Sequence, residues 1–185
     1  MADFRHETER LVLRDWREED WEPFWRGTNT PAVMRWLGGV ADEQVRADAR
    51  ARLERYDRDF GHTFWVVERR SDGAVLGFCG LKRCTEEAGP LGMTELGYRL
   101  REDAWGKGYA REAAEASLAL GFERFAADEI IALTVEGNQA SWGLMERLGM
   151  ARRPDLDFPE TMWAQDYGPV IVYSLARDAW AATNA

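Results

Sequence analysis

Residues 103–125 read DAWGKGYAREAAEASLALGFERF: two glycines bracket a lysine, and an alanine-rich helical run starts directly after them. Glycine disfavours a helix by about 1 kcal/mol relative to alanine. Its repetition at the mouth of this run therefore points to a turn whose backbone does something a side chain would prevent. The run puts Ala113, Ala114, Ser117, Leu118, Gly121, Phe122 and Phe125 on one face, small near the turn and bulky farther on, so the helix can lie close against a sheet. MTELGYRL, just upstream, has the composition of a strand. Strand, glycine turn and closely packed helix form one unit, and the rest of the chain has to be built around it.

If Leu100 ends the strand and Gly108 or Tyr109 starts the helix, the turn presents several amide N–H groups at the positive end of the helix dipole. Gly106 and Gly108 can take positive φ and carry no Cβ to keep a phosphate off those amides; Lys107, and Arg111 one turn later, add charge. Two familiar phosphate loops are excluded. A P-loop needs GxxxxGK and then Ser or Thr, and a dinucleotide fold needs GxGxxG after its first strand, whereas here GKG is followed by Tyr109 and Ala110 late in the chain. By itself the turn also fits a plain strand-to-helix connection.

The other segments give mixed order. ERLVLRD (Glu9–Asp15) is a first strand, EEDWEPFWRG a helix with Trp21 and Trp25 on one face, and residues 41–59 a charged helix with the stripe Val45, Ala49, Leu53 and Tyr56. TFWVVERR and AVLGFCGLKRC flank the turn residues Asp72 and Gly73 as a hairpin, and Gly97 marks either a bulge in the next strand or a packing contact. IIALTV is a strand, and NQASWGLMERLG a helix that Asn138 caps and Gly149 ends. GPVIVYSL is the last strand and RDAWAA a terminal helix. Strands and helices mixed in this way, over 185 residues without a repeat or linker, predict one α+β domain across 1–185.

Bulk charge narrows the partners. Subtracting 33 acidic from 24 basic side chains gives −9, which repels nucleic acid and anionic membrane surfaces and favours cationic partners. No apolar run is long enough to span a bilayer and MADFRHETER is no signal peptide, so the expected location is cytoplasmic. Cys79 and Cys84 have no metal-ligand spacing around them and read as ordinary thiols, with no metal site. His6 and His62 are isolated; His62, next to Gly61 at a helix end, reads as a cap for helix carbonyls.

ELGYRLREDAWGKGYAREA followed by NQASWGLMERLGM resembles the cofactor core of the GNAT N-acetyltransferases, especially their RimJ/RimL-like branch, which is named for ribosomal-protein N-terminal acetyltransferases. TERLVLRDWREED and VIVYSLARDAW resemble that branch too, so the likeness spans nearly the whole chain. It implies a mixed, mostly antiparallel central sheet that splays at the cofactor site, with flanking helices. The family loop runs Gln or Arg, two residues, Gly, one residue, then Gly or Ala. WGKGYA fits with Gly108 and Ala110 in the small positions and Trp105 in place of Gln/Arg.

The resemblance implies that Trp105, Gly106, Lys107, Gly108, Tyr109 and Ala110 cradle the pyrophosphate of acetyl-coenzyme A. The main chain around Leu100 would pair with the pantetheine arm, and Asn138 would touch the same arm. Acetyl transfer to a primary amine then needs a base. Glu95 is the first choice, against a surface glutamate paired with Arg99; Glu136 is the second. Many family members carry a proton-donating tyrosine where this chain has Met145, so Ser141 becomes the nearest acid, against a plain helix-surface serine; Tyr167 and Tyr173 are other hydroxyls.

The acceptor is a small-molecule amine or a peptide N-terminus; the segments EEAGP and FPET are compatible with a cationic one. Two other readings stay open, a non-catalytic acyl-coenzyme A sensor and an interaction protein using exposed tryptophans. Monomer and homodimer are equally compatible with the sequence.

Overall fold

The computed structural model describes residues 4–85, 89–159 and 167–184. Its centre is a sheet of eight strands in the order β1-β2-β3-β4-β5-β6-β8-β7. β1 (Arg5–Glu7), β2 (Leu11–Arg14), β3 (Phe64–Arg69), β4 (Val75–Arg83) and β5 (Thr94–Leu100) pair antiparallel in succession. β6 (Glu129–Val135) joins β5 in parallel, and β8 (Val170–Ala176) pairs antiparallel with β6 and with the short β7 (Ala151–Arg152). The parallel step follows from the connection. A helix must cross over between parallel strands, and α3 (Tyr109–Glu123), the helix behind the glycine turn, does so.

α3 packs on one face of the sheet, where Ala113, Ala114 and Leu118 share a core with Leu96 and Leu100 of β5. Gly121 permits that closeness: a Cβ there would stand 2.5 Å from Ile130 Cδ1. The opposite face carries α1 (Trp21–Thr28) and α2 (Glu43–Phe60), whose Phe24 and Leu53 cluster with Phe64 and Val66. α4 (Gln139–Arg147) follows β6, and α5 (Arg177–Asn184) follows β8.

β5 is the strand that divides these faces. Leu96, Tyr98 and Leu100 point to the α3 side; Glu95, Gly97 and Arg99 point to the α1/α2 side, where Phe64, Phe24 and Phe78 lie.

The structure decides between the two readings of Gly97 and changes two other sequence expectations. Gly97 sits in an unbroken ladder, paired with Gly80, and the register shift lies instead between Val67 and Glu68. The glycine is needed because a Cβ would stand 2.4 Å from Phe64 Cζ. The stripe on α2 is buried only at Leu53 and Tyr56; Val45 is exposed. His62 bonds the strand carbonyl of Leu81 through Nδ1 at 2.9 Å instead of capping α2, whose end is turned by Gly61 at φ 72°. Cys79 and Cys84 are buried free thiols, and burial pushes Cys79 up to about 12.

Candidate active site

The sheet opens beside β5. β5 and β6 pair only through Thr94–Ile130, Glu95–Ile131 and Leu96–Ala132, after which β6 continues to Val135 against β8 alone. Arg101 N–H donates to Leu76 O at 2.8 Å and Cys84 N–H to Met93 O at 2.9 Å, which fixes the alternation of the β4–β5 ladder. Odd-numbered residues of β5 turn their peptide groups toward β4, so Tyr98 and Leu100 turn theirs into the gap left by β6. An extended, amide-bearing chain can add there as a strand would. One of those groups is already engaged: the Trp105 indole N–H donates to Leu100 O at 2.9 Å. The Leu100 N–H and both Tyr98 peptide groups remain for a guest.

The glycine turn stands directly beyond. Gly106 and Gly108 lie at φ 70° and 80°, and Gly108 is the N-cap of α3. Trp105 N–H donates to Glu102 O and Glu112 N–H to Gly108 O, but the amides of residues 106–111 between them make no main-chain hydrogen bond. An anion at this helix start would meet a cluster of N–H donors. Lys107 belongs to the turn, Tyr109 and Ala110 are the first residues of α3, and Arg111 is ion-paired with Glu115 at 2.8 Å.

Arg10 on the chain entering β2 braces this turn, a role sequence reasoning missed. Its Nη1 donates to Lys107 O at 2.9 Å, its guanidinium lies 4.7 Å over the Tyr109 ring, and its Nε reaches Glu112 Oε2 at 2.7 Å. Glu112 Oε1 also accepts from Arg10 N–H at 2.7 Å and Thr8 Oγ1 at 2.6 Å. Burial acts to raise the Glu112 carboxyl, but these donors outweigh it and hold the group below the usual range.

Asn138 occupies the N-cap position of α4, yet its side chain makes no capping bond; its main-chain oxygen accepts from Ser141 N–H at 3.0 Å. Ser141 Oγ lies 3.1 Å from the Tyr98 hydroxyl, which also donates to Ser141 O at 3.0 Å. Tyr98 thus bridges β5 and α4 across the opened sheet. Burial pushes its phenol well above the usual range. Met145 is buried in the main core and offers no hydroxyl. Tyr173 is buried in β8, and Tyr167 packs its ring 5.2 Å from Trp36.

On the α1/α2 side, Glu95 is buried and its Oε2 is 2.5 Å from Lys82 Nζ. It is neither at the surface nor paired with Arg99. Burial acts to lower Lys82, but the Glu95 carboxylate outweighs it and holds the ammonium above its usual range. Glu136 is exposed, on the turn before α4. The arrangement puts anion donors, an open strand edge and the Tyr98–Ser141 hydroxyls on one side of β5, with the Glu95–Lys82 pair on the other. Residues 86–88 and 160–166, which include most of EEAGP and half of FPET, lie outside the described residues. Among the described residues no group of His, Cys, Asp and Glu is placed to hold a metal, and no helix is long and apolar enough to cross a membrane.

An open sheet of mixed strands, parted beside a helix that starts at a glycine turn, is the architecture of the GNAT acetyltransferases. The family model for the acetyltransferase (GNAT) domain matches residues 10–151, and the chain belongs to that family. Among its relatives, the uncharacterized protein YkkB of Bacillus subtilis is 31% identical over 144 residues, covering 77% of this chain and 83% of the relative. The uncharacterized N-acetyltransferase YnaD of the same organism is 30% identical over 146 residues, covering 78% and 81%. A solved acetyltransferase from Agrobacterium tumefaciens superposes with a TM-score of 0.79 at 24% identity, covering 95% of both chains. The ribosomal-protein-S5-alanine acetyltransferase of Vibrio fischeri gives 0.75 at 18% identity, over 96% of this chain and 99% of that one. Enzymes of the family transfer acyl groups, generally from acetyl-coenzyme A.

Proposed function

We propose that this chain is an acetyl-coenzyme A dependent N-acetyltransferase acting on a primary amine. The observation that carries the reading is the run of unengaged amides at residues 106–111, set directly beyond the point where β5 loses its neighbour. The pyrophosphate would lie on those amides, with Lys107 beside it, and the pantetheine arm would run along Tyr98 and Leu100 toward Asn138. The thioester then reaches β5 between the two sides of the sheet. Main-chain N–H groups in the gap can receive the developing oxyanion.

The acceptor approaches from the α1/α2 side. An ammonium must lose a proton before its nitrogen attacks the thioester carbon. Glu95 takes that proton, directly or through a water, while Lys82 holds the carboxylate in place. As the C–S bond breaks, the thiolate is protonated from the Tyr98–Ser141 hydroxyl pair. Tyr98 here fills the need that Met145 leaves unmet. The RimJ/RimL-like assignment, and with it a protein N-terminal amine as acceptor, rests on the sequence resemblance.

The test is release of free thiol from acetyl-coenzyme A with panels of amines, peptides and aminoglycosides, and no release with any of them refutes the reading. Gly108→Asp, which adds charge and bulk where a Cβ would already stand 3.2 Å from Arg10 Nη2, is expected to abolish coenzyme binding. Met145 in place of a hydroxyl favours one second reading, a non-catalytic acyl-coenzyme A sensor. Tight coenzyme binding with no transfer, unchanged by Glu95→Gln, would favour it.

A further inference from the structure

Among the described residues, Arg99 is a cation with no anion beside it. It sits on the α1/α2 face of β5, two residues beyond Gly97, with its guanidinium carbon 4.8 Å from the Phe24 ring, 5.3 Å from Trp25 and 5.2 Å from Phe78. Nη1 donates to the Met34 sulfur at 3.1 Å, a weak acceptor, and the buried Nε has no partner. No described carboxylate lies within ion-pair distance. Aromatic faces answer the charge of a guanidinium but offer no lone pair to its fork of N–H groups. Packing alone would be served as well by a leucine or methionine among those rings.

Arg52 on α2 adds a charge of the same sign. Burial, and after it the positive charge of Arg52 on α2, pushes Arg99 down to about 10, so it remains charged at neutral pH. A protein with a formal charge of −9 has thus set two arginines near one another on the side of β5 away from the glycine turn. Overall charge would favour a cationic acceptor; the local charge favours the reverse.

Resting on the acetyl-transfer reading above, we infer that Arg99 binds a carboxylate of the acceptor, so that the substrate is an amine carrying a carboxylate a few bonds from its nitrogen. Strand spacing puts the Cα atoms of Arg99 and Gly97 about 7 Å apart, and those of Arg99 and Glu95 about 13 Å apart. An amine delivered to the opened stretch of β5, with its proton going to Glu95, leaves a carboxylate within reach of the Arg99 fork. A bidentate guanidinium–carboxylate pair supplies both orientation and charge recognition.

The experiment compares ω-amino acids from glycine to aminohexanoate with their primary amides, and adds a polyamine as the cationic alternative. Thiol release is measured with acetyl-coenzyme A, and binding to the protein–coenzyme A complex by calorimetry. The expected result is at least about ten-fold higher kcat/KM for the acid than for its amide at the best chain length. Arg99→Gln should erase that preference through KM, and Arg99→Lys should restore part of it.

Equal use of acid and amide by the unaltered protein, or a preference for the polyamine, overturns the proposal without any variant. Loss of activity on acids and amides alike in Arg99→Gln, which a merely structural arginine would produce, overturns it too. If no amine releases thiol but the complex binds acids over amides in an Arg99-dependent way, anion recognition stands and the transfer reading falls. If neither acids nor amides bind, the proposal falls.

Discussion

Glu112→Ala tests whether the strut from Arg10 holds the glycine turn, the proposed coenzyme site, in shape. The substitution removes an acceptor used by Thr8 Oγ1, Arg10 N–H and Arg10 Nε. The first two bonds are part-buried and stabilise by about 1 kcal/mol each. The ion pair, with the Arg10 side chain 41% exposed, adds at most about 0.5 kcal/mol after screening. A carboxylate in the first turn of α3 adds roughly 0.5 kcal/mol through the helix dipole. The total is about 3 kcal/mol, or a fall in Tm of roughly 6–12 °C for a chain of this size. Glu112→Gln keeps an oxygen for Thr8 and the Arg10 N–H, so it should lose only roughly a third of that.

The same change should reach the ligand. Arg10 released from Glu112 no longer fixes Lys107 O, and freeing one residue of the turn costs about 1–2 kcal/mol when the coenzyme reorders it. Coenzyme A affinity by calorimetry should therefore drop about ten-fold. The folded carboxyl lies below its ordinary 4.5, so its stabilisation is fully present above that pH and is lost as pH falls through the folded value. The Tm gap between the parent and Glu112→Gln should close in acid. A Glu112→Ala protein within about 2 °C of the parent, or a Gln variant as unstable as Ala, would refute the strut.

Three further outcomes are expected. Glu95→Gln should lower kcat by about 10²- to 10⁴-fold with coenzyme affinity unchanged, measured by thiol release and calorimetry. Tyr98→Phe should reduce kcat by roughly ten-fold or more and Ser141→Ala by less, because a phenol is a stronger acid than an alkyl hydroxyl; a larger loss in Ser141→Ala would point to Ser141 as the donor. Gly97→Ala should destabilise by about 1–3 kcal/mol in urea titration, since its Cβ would run into the Phe64 ring.

The local parts of the site were legible in the sequence. Glycine at 106 and 108 followed by an alanine-rich run predicts a turn with positive φ and free amides, because both depend on neighbours in the chain. The Asp72–Gly73 hairpin was legible for the same reason. What escaped depends on pairing between distant segments. Nothing near Arg10 says that it will reach Glu112 across 102 positions, and Lys82 finds Glu95 only through the β4–β5 register. Gly97 was ambiguous because a bulge and a ring lying over a strand both call for glycine. Tyr98 could have been found from the period of two: once Glu95 is put on one face of the strand, Tyr98 must lie on the other, with α3.

That parity is also what makes the site work as a unit. A one-residue slip of β5 against β4 would send Glu95 and Arg99 into the α3 core and bring Tyr98 out beneath Phe64, exchanging the two sides of the proposed reaction. The slip is blocked from both directions. Gly97 is the residue of β5 that fits under the Phe64 ring, and the Glu95–Lys82 pair forms only in the observed register. Arg101 N–H on Leu76 O then fixes the end of the strand. β5 can therefore lose its neighbour β6 after Leu96 without losing its position. Because β4 alone pairs with that stretch as a strand, its other edge is left open, as the proposed cofactor arm requires.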